Sequence, residues 1–248
     1  AAISSVLAGS AGLAVSGVGT LTLTGVNSYS GGTTINTGST VLVGNGGATG
    51  KLGSGALVND GTLTQNLVGT STVVTIGTGG ITGITGSGST SITADTIKFL
   101  GNVTVNTSGN QSYIATNATT TFAKGLDLGT GNNTVNLTAI GGASITLTGD
   151  IGTEAASSTV LNLDTSSGNG TINLDISVGR SNQFWNIGQI NANAGTGAIN
   201  WTGTYGAVRG DNSSQSTPIT LTGAINMTSA FQAQTLLTLT LNAAGTST

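Results

Sequence analysis

Three short runs decide how this chain folds: Leu21-Thr-Leu-Thr-Gly25, Ile145-Thr-Leu-Thr-Gly149 and Ile219-Thr-Leu-Thr-Gly223. Each alternates an aliphatic residue with threonine and stops at glycine. In an extended backbone successive side chains point to opposite faces, so the pattern places aliphatics on one side and hydroxyls on the other. The same alternation recurs in Ser71–Ile76, Asn102–Val105, Asn133–Thr138, Thr159–Leu163, Thr171–Ile176 and Thr235–Leu241. These runs are bounded by Gly, Asn, Asp or Ser, which is the signature of short half-buried strands. No window carries apolar residues at i, i+3, i+4 and i+7 for three turns, and each glycine would cost a helix about 1 kcal/mol. The chain therefore reads as all-β with almost no helix.

Turn chemistry recurs at short intervals. Gly31-Gly32, Gly46-Gly47, Asp60-Gly61, Gly79-Gly80 and Gly141-Gly142 supply positions where φ can be positive without a Cβ clash. Short strands with such turns suit a sandwich, a barrel or a solenoid. Three features favour the solenoid. The opening runs are near copies of one another. Aromatic residues make up only 4 %, too few for the thick core of a sandwich. Asparagine is plentiful at expected strand–turn junctions, Asn36, Asn59, Asn106, Asn162 and Asn173, where it tolerates left-handed backbone and can stack in ladders.

At roughly 20–25 residues per coil the chain would make about ten to twelve coils. With about 4.8 Å per coil the rod would be on the order of 50 Å long. Residues 19–248 read as one continuous solenoid, because repeats bury surface only against neighbours. Ala1–Val18 reads as a cap, an edge strand or a linker, and 210–217, beside the single Pro218, as the longest exposed loop.

Composition narrows the chemistry. Of 248 residues, 42 are Gly, 46 Thr, 26 Ser and 23 Asn, while only 5 are Lys or Arg and 8 Asp or Glu; His and Cys are absent. Without His or Cys the usual nucleophile–base pairs, the ordinary zinc ligand sets and disulfides are excluded. Five cations cannot track a phosphate backbone, so no nucleic-acid partner is expected. No run approaches the 18 apolar residues of a membrane span.

Residues 20–66 carry a more specific signal. The run Thr20-Leu-Thr-Leu-Thr-Gly-Val-Asn-Ser-Tyr-Ser-Gly-Gly-Thr-Thr-Ile-Asn36 continues through Val41-Leu-Val-Gly-Asn-Gly-Gly47 and Leu52–Leu63. It resembles the autotransporter-associated β-strand repeat. About a fifth of the chain is covered; the remainder, best seen in Asn102–Tyr113, is loosely similar to bacterial passenger and haemagglutinin-like sequences. The resemblance implies a right-handed parallel β-helix outside a bacterial cell, serving passenger secretion or a stalk. Thr238–Thr248 shows no translocating barrel, so the expectation is a released passenger or a stand-alone secreted subunit, with Ala1-Ala2 consistent with leader cleavage.

The candidate sites compete with plainer readings. Asp150 with Glu154, or Asp164 with Asp175, are the carboxylate pairs a polysaccharide-cleaving β-helix would need; turn acceptors are the alternative, and Asp60-Gly61 and Asp211-Asn212 fit that. Gly129-Thr-Gly-Asn-Asn133 has the glycines of a calcium loop without its carboxylate. Gly17-Val-Gly19 and Gly44-Asn-Gly-Gly47 lack the helix and lysine of a phosphate loop and read as tight turns. Thr-x-Thr pairs at 22/24, 62/64, 146/148, 220/222 and 238/240 offer a hydroxyl array of the kind ice-binding solenoids use, but they are irregularly spaced. Trp185, Tyr29 and Tyr113 are further aromatics. Trp201, Tyr205 and Arg209 form the best carbohydrate or partner patch, although a solenoid Trp also serves as a cap or anchor.

These readings add up to a non-enzymatic structural or adhesive rod, an adhesin stalk or a fibre subunit of the bacterial surface. It would need no cofactor or metal and would not insert into a membrane. It would self-associate end to end through Ala1–Val18 and Thr235–Thr248, and host or matrix carbohydrate is the possible second partner. The competing class is a polysaccharide-binding or polysaccharide-cleaving protein.

Overall fold

The structure, a computed structural model, describes residues 1–69, 71–101, 103–116, 120–123, 126–128, 133–148, 151–152, 158–175, 184–185, 188–202, 219–227 and 239–243. The strands follow in chain order: β1 (Ala2–Ile3), β2 (Leu13–Val15), β3 (Gly19–Leu23), β4 (Thr33–Ile35), β5 (Ser39–Val43), β6 (Gly55–Asn59), β7 (Thr62–Asn66), β8 (Val73–Gly77), β9 (Ile81–Gly86), β10 (Ser89–Ala94), β11 (Thr96–Leu100) and β12 (Val103–Thr107). Then come β13 (Gln111–Ala115), β14 (Thr120–Ala123), β15 (Leu126–Asp127), β16 (Thr134–Ala139), β17 (Ile145–Thr148), β18 (Ile151–Gly152), β19 (Val160–Asp164), β20 (Ile172–Asp175), β21 (Phe184–Trp185), β22 (Gln189–Thr202), β23 (Ile219–Met227) and β24 (Leu239–Ala243). No helix occurs among the described residues.

Every strand pairing is parallel, and the pairings sort into three ladders. Ladder A runs through β1, β3, β5, β7, β10, β13, β16, β19, the first part of β22, β23 and β24. Ladder B joins β2, β4, β6, β9, β12, β15, β18 and β21. Ladder C begins only at β8 and continues through β11, β14, β17, β20 and the second parts of β22 and β23. From β10 onward the chain visits A, C and B in turn, so each circuit lays one strand on each side. This is a parallel β-solenoid. Residues 1–18 contribute its first edge strands, β1 and β2, paired to β3 and β4.

Alternation builds the core as the sequence implied. On ladder A the inward row is Leu23, Val43, Gln65, Ile92, Tyr113, Leu137, Leu163, Ala192 and Leu221, in register across successive strands. All of them are buried. On ladder C, Leu147, Leu174 and Trp201 stack likewise. Phe99 meets Tyr113 edge-on, with ring centroids 5.1 Å apart at 83°, filling the column between the two ladders.

The corner leading into ladder A shows why glycine recurs. A Cβ on Gly88 would collide with the carbonyl oxygen of Gly61, and one on Gly109 with that of Gly88. Coils stack so closely there that backbone sits directly on backbone. Buried Asn59 finishes the corner: its Nδ2 donates to the Ser89 carbonyl at 2.9 Å and its Oδ1 accepts from the Gly61 N–H at 3.1 Å.

The expectation that asparagine marks strand–turn junctions changes for three residues. Asn106, Asn162 and Asn173 are not junction residues; they lie within β12, β19 and β20 on the outer faces. The positive-φ residues other than glycine are Asn45, Ser71 and Asn169.

Candidate functional surfaces

The outward positions of ladder A line up as Thr64, Ser91, Ser112, Asn136, Asn162, Asn191, Thr220 and Thr240. Alternation aims them outward, and parallel pairing stacks them one coil apart. Within this row the amides bond to one another. Asn162 Nδ2 donates to Asn136 Oδ1 at 2.8 Å, and Asn191 Nδ2 donates to Asn162 Oδ1 at 2.9 Å. Ladder C carries a second amide row. Asn200 Nδ2 donates to Asn173 Oδ1 at 3.0 Å, and Asn226 Nδ2 donates to Asn200 Oδ1 at 2.9 Å. Thr146 begins that row by accepting from Asn173 Nδ2 at 3.2 Å. Both rows are neutral and half-buried.

The threonine pairs do not make one array. Thr62/Thr64 and Thr220/Thr222 lie on ladder A, but Thr146/Thr148 lies on ladder C, and asparagines separate the pairs. Thr238 is outside the described residues.

Asp60, Asp164 and Asp95 accept from backbone N–H groups, and Asp127 accepts from Thr104 Oγ1 at 3.5 Å. Asp60 Oδ1 accepts from the Ser87 N–H at 2.9 Å and from Ser87 Oγ at 3.0 Å. Asp164 Oδ1 accepts from the Ser166 N–H at 2.9 Å and from Ser166 Oγ at 2.6 Å, an Asx-type turn closing β19. Buried Asp95 accepts from the Ser71 N–H at 3.1 Å, while its own N–H donates to Thr72 Oγ1 at 2.8 Å. Asp164 ends a ladder A strand and Asp175 ends a ladder C strand, so the structure does not bring this pair onto one side. Asp150, Glu154 and Asp211 lie outside the described residues. No cluster of three potential metal ligands occurs among the described residues.

Of the patch Trp201, Tyr205 and Arg209, the structure describes Trp201 alone. Its indole is 2 % exposed and stacks inside the column beyond Leu174, where a surface sugar does not reach it. The period of two across Ile199, Asn200 and Trp201 already marks that inward position. Tyr29 and Tyr113 are also buried. Tyr29 shares a 2.7 Å hydrogen bond with Thr33 Oγ1, and burial pushes the Tyr113 hydroxyl far above the ordinary tyrosine range. In the two loop-like motifs Gly17, Gly44 and Gly46 adopt positive φ in turns or bends, Gly19 opens β3 with positive φ, and Gly47 is not among the positive-φ glycines. Of the calcium-like run, Asn133 is described: it is buried, and its Nδ2 donates to Thr107 Oγ1 at 2.9 Å.

No family model, curated protein or solved structure matches this chain.

Proposed function

We propose that this chain is a non-enzymatic structural and adhesive rod of the bacterial exterior, a stalk or fibre subunit. In this reading the rod is a right-handed β-helix of ten to twelve coils that associates end to end. The observation that carries the reading is ladder A, which runs from β1 to β24 and, from Thr64 in β7 to Thr240 in β24, presents an uncharged outer row of hydroxyls and amides. Such a rod resists extension through backbone bonds along its whole length. Asp164 closes a local turn, and Asp60 and Asp95 bond to backbone of the neighbouring coil; none of the three faces another as an acid–base pair. The resemblance of residues 20–66 to the autotransporter-associated repeat supports a surface location. End-to-end association is supported by Leu241, 49 % exposed on β24, and by Ile3, Leu7, Leu13 and Val15, which are only partly buried at the opposite end of the column.

Negative-stain microscopy and sedimentation across a hundredfold concentration range test the reading. Rods that lengthen with concentration are expected; monodisperse monomers throughout would remove self-association from it. The neutral amide and hydroxyl rows also favour a second reading, binding of uncharged polysaccharide. Pull-down on a panel of insoluble polysaccharides, with assay of new reducing ends, separates binding from cleavage. Cleavage lost in Asp164→Asn or Asp175→Asn would overturn the structural assignment.

A further inference from the structure

Gln65 is the single polar side chain in the inward row of ladder A, lying between Val43 and Ile92. A second buried glutamine on the same ladder, Gln111, shows how such a group is ordinarily accommodated. Its Nε2 donates to the Gly109 carbonyl at 3.0 Å and to the Gly88 carbonyl at 3.2 Å, and its Oε1 accepts from the Tyr113 hydroxyl at 3.5 Å. Gln65 has only a long bond from Nε2 to the Gly50 carbonyl, at 3.4 Å. Its Oε1 is enclosed and has no hydrogen-bond partner among the described residues, although the residue is 2 % exposed. An orphaned buried acceptor costs about 1–3 kcal/mol, so it calls for a donor.

The setting provides one. Gln65 lines a cleft of about 80 Å³ with Lys51, Leu52, Gly53, Val73, Val74, Thr75, Gly80 and Ile81. This is where ladder C begins. Lys51 bridges back to Val26, whereas β8, the next segment on that side, pairs only with β9 and β11. Among the described residues no strand lies against the edge of β8 that faces the Lys51–Gly53 segment. Exposed Lys51 and Val73 leave the cleft open to solvent at its rim.

We infer that this cleft is a built hydration site: bound water donates to Gln65 Oε1 and bridges the step between the Lys51–Gly53 segment and β8. At a liquid share of about 30 Å³ per molecule, the space suits roughly two to three waters, and its mixture of amide, hydroxyl and backbone groups supplies the two to four partners each requires. The waters take the place of one missing rung, forming a hydrated joint between the part of the rod without ladder C and the part that has it. Glutamine at this position is thereby explained where an aliphatic residue would otherwise stack. The inference is independent of the proposed function.

The test is solution NMR on the whole chain, with Gln111 as internal control. Water cross-peaks of the sign given by long-lived bound water are expected at the Gln65 side-chain amide and at the Gly53 and Thr75 backbone amides. They should be absent at the Gln111 side chain. In Gln65→Met the cross-peaks at Gly53 and Thr75 should vanish while the β-sheet circular dichroism stays. Xenon under pressure should leave the Leu52, Val74 and Ile81 methyl resonances unmoved. Absent cross-peaks at Gln65, persistent cross-peaks in Gln65→Met, or xenon-induced shifts that mark a dry cavity would each overturn the site. The wild-type measurements decide even if the variant does not fold.

Discussion

The coils before β8 and those after it solve the same problem differently. Both must close a third side between ladders A and B. In the earlier coils that side is irregular, held by the isolated Val26–Lys51 bridge, by scattered backbone bonds such as Ser28 N–H to the Leu7 carbonyl at 2.9 Å and Ser54 N–H to the Tyr29 carbonyl at 2.9 Å, and by one buried side chain. Asn27 Oδ1 accepts from the Leu7 N–H at 2.8 Å, and its Nδ2 donates to the Lys51 carbonyl at 2.8 Å, so one amide ties three successive coils. In the later coils ladder C does the tying with backbone, and the asparagines move outward into amide rows. The early closure combines irregular backbone bonds with one bridging side chain, whereas the later closure is a continuous strand ladder. The early side should therefore be more sensitive to loss of that one polar side chain, and the later side to loss of packing.

Breaking the later side should need a large hole. Trp201→Ala empties a fully buried indole site and should lower unfolding stability by about 4 kcal/mol in denaturant titration. The early side should break with far less volume removed. Asn27→Ala leaves the half-buried Leu7 N–H without its partner and removes one of the two donors to the Lys51 carbonyl, which keeps the backbone N–H of residue 27, and should cost about 2 kcal/mol. Amide hydrogen exchange should speed up at Leu7 and Ser28 in that variant while the protection of Leu147 and Leu174 is kept.

Alkaline titration sharpens the comparison from the core. Burial raises the folded-state pKa of Tyr113, so its contribution is fully present below the ordinary tyrosine value and is lost as pH rises above it. Above about pH 10 the unfolded chain releases this proton and the folded chain keeps it, so stability should fall by about 1.4 kcal/mol per pH unit on this residue's account. Tyr113→Phe should flatten that part of the slope. The smallest effect belongs to the outer rows. Asn162→Ala interrupts one amide row of the region held by all three ladders, and should cost about 1 kcal/mol, with exchange elsewhere unchanged.

Much of this architecture is legible in the residues. Alternation in Leu21–Thr24 and Ile145–Thr148 fixes which side chains enter the column, and the scarcity of aromatics points to a narrow core. The coil boundaries are harder to read because coil length varies. Bonded outer residues are 20 positions apart between Thr222 and Asn242, 26 between Asn136 and Asn162, and 29 between Asn162 and Asn191. Turns of different length absorb the difference while the strands stay in register, so no fixed sequence period survives. For the same reason the threonine pairs fall on different sides. The Trp201, Tyr205 and Arg209 grouping rested on nearness in sequence, whereas strand alternation governs which way Trp201 faces. Gln65 occupies an inward position that Leu63-Thr-Gln65 already spells out, and only its missing partner reveals that it matters.

The amide rows give the rod a sense of direction. In both of them the later asparagine donates to the earlier one, so the carbonyls that accept these four bonds point toward the C-terminal end and the donated N–H groups toward the N-terminal end. Along each strand successive peptide groups point alternately up and down the rod, so their dipoles largely cancel along its axis, but these side-chain dipoles add, as aligned peptide units do along a helix. On a surface with so little formal charge, they are an ordered electrical feature that distinguishes one end from the other. Rods meeting head to tail bring opposite poles together, and rods lying side by side are steered toward opposite orientations.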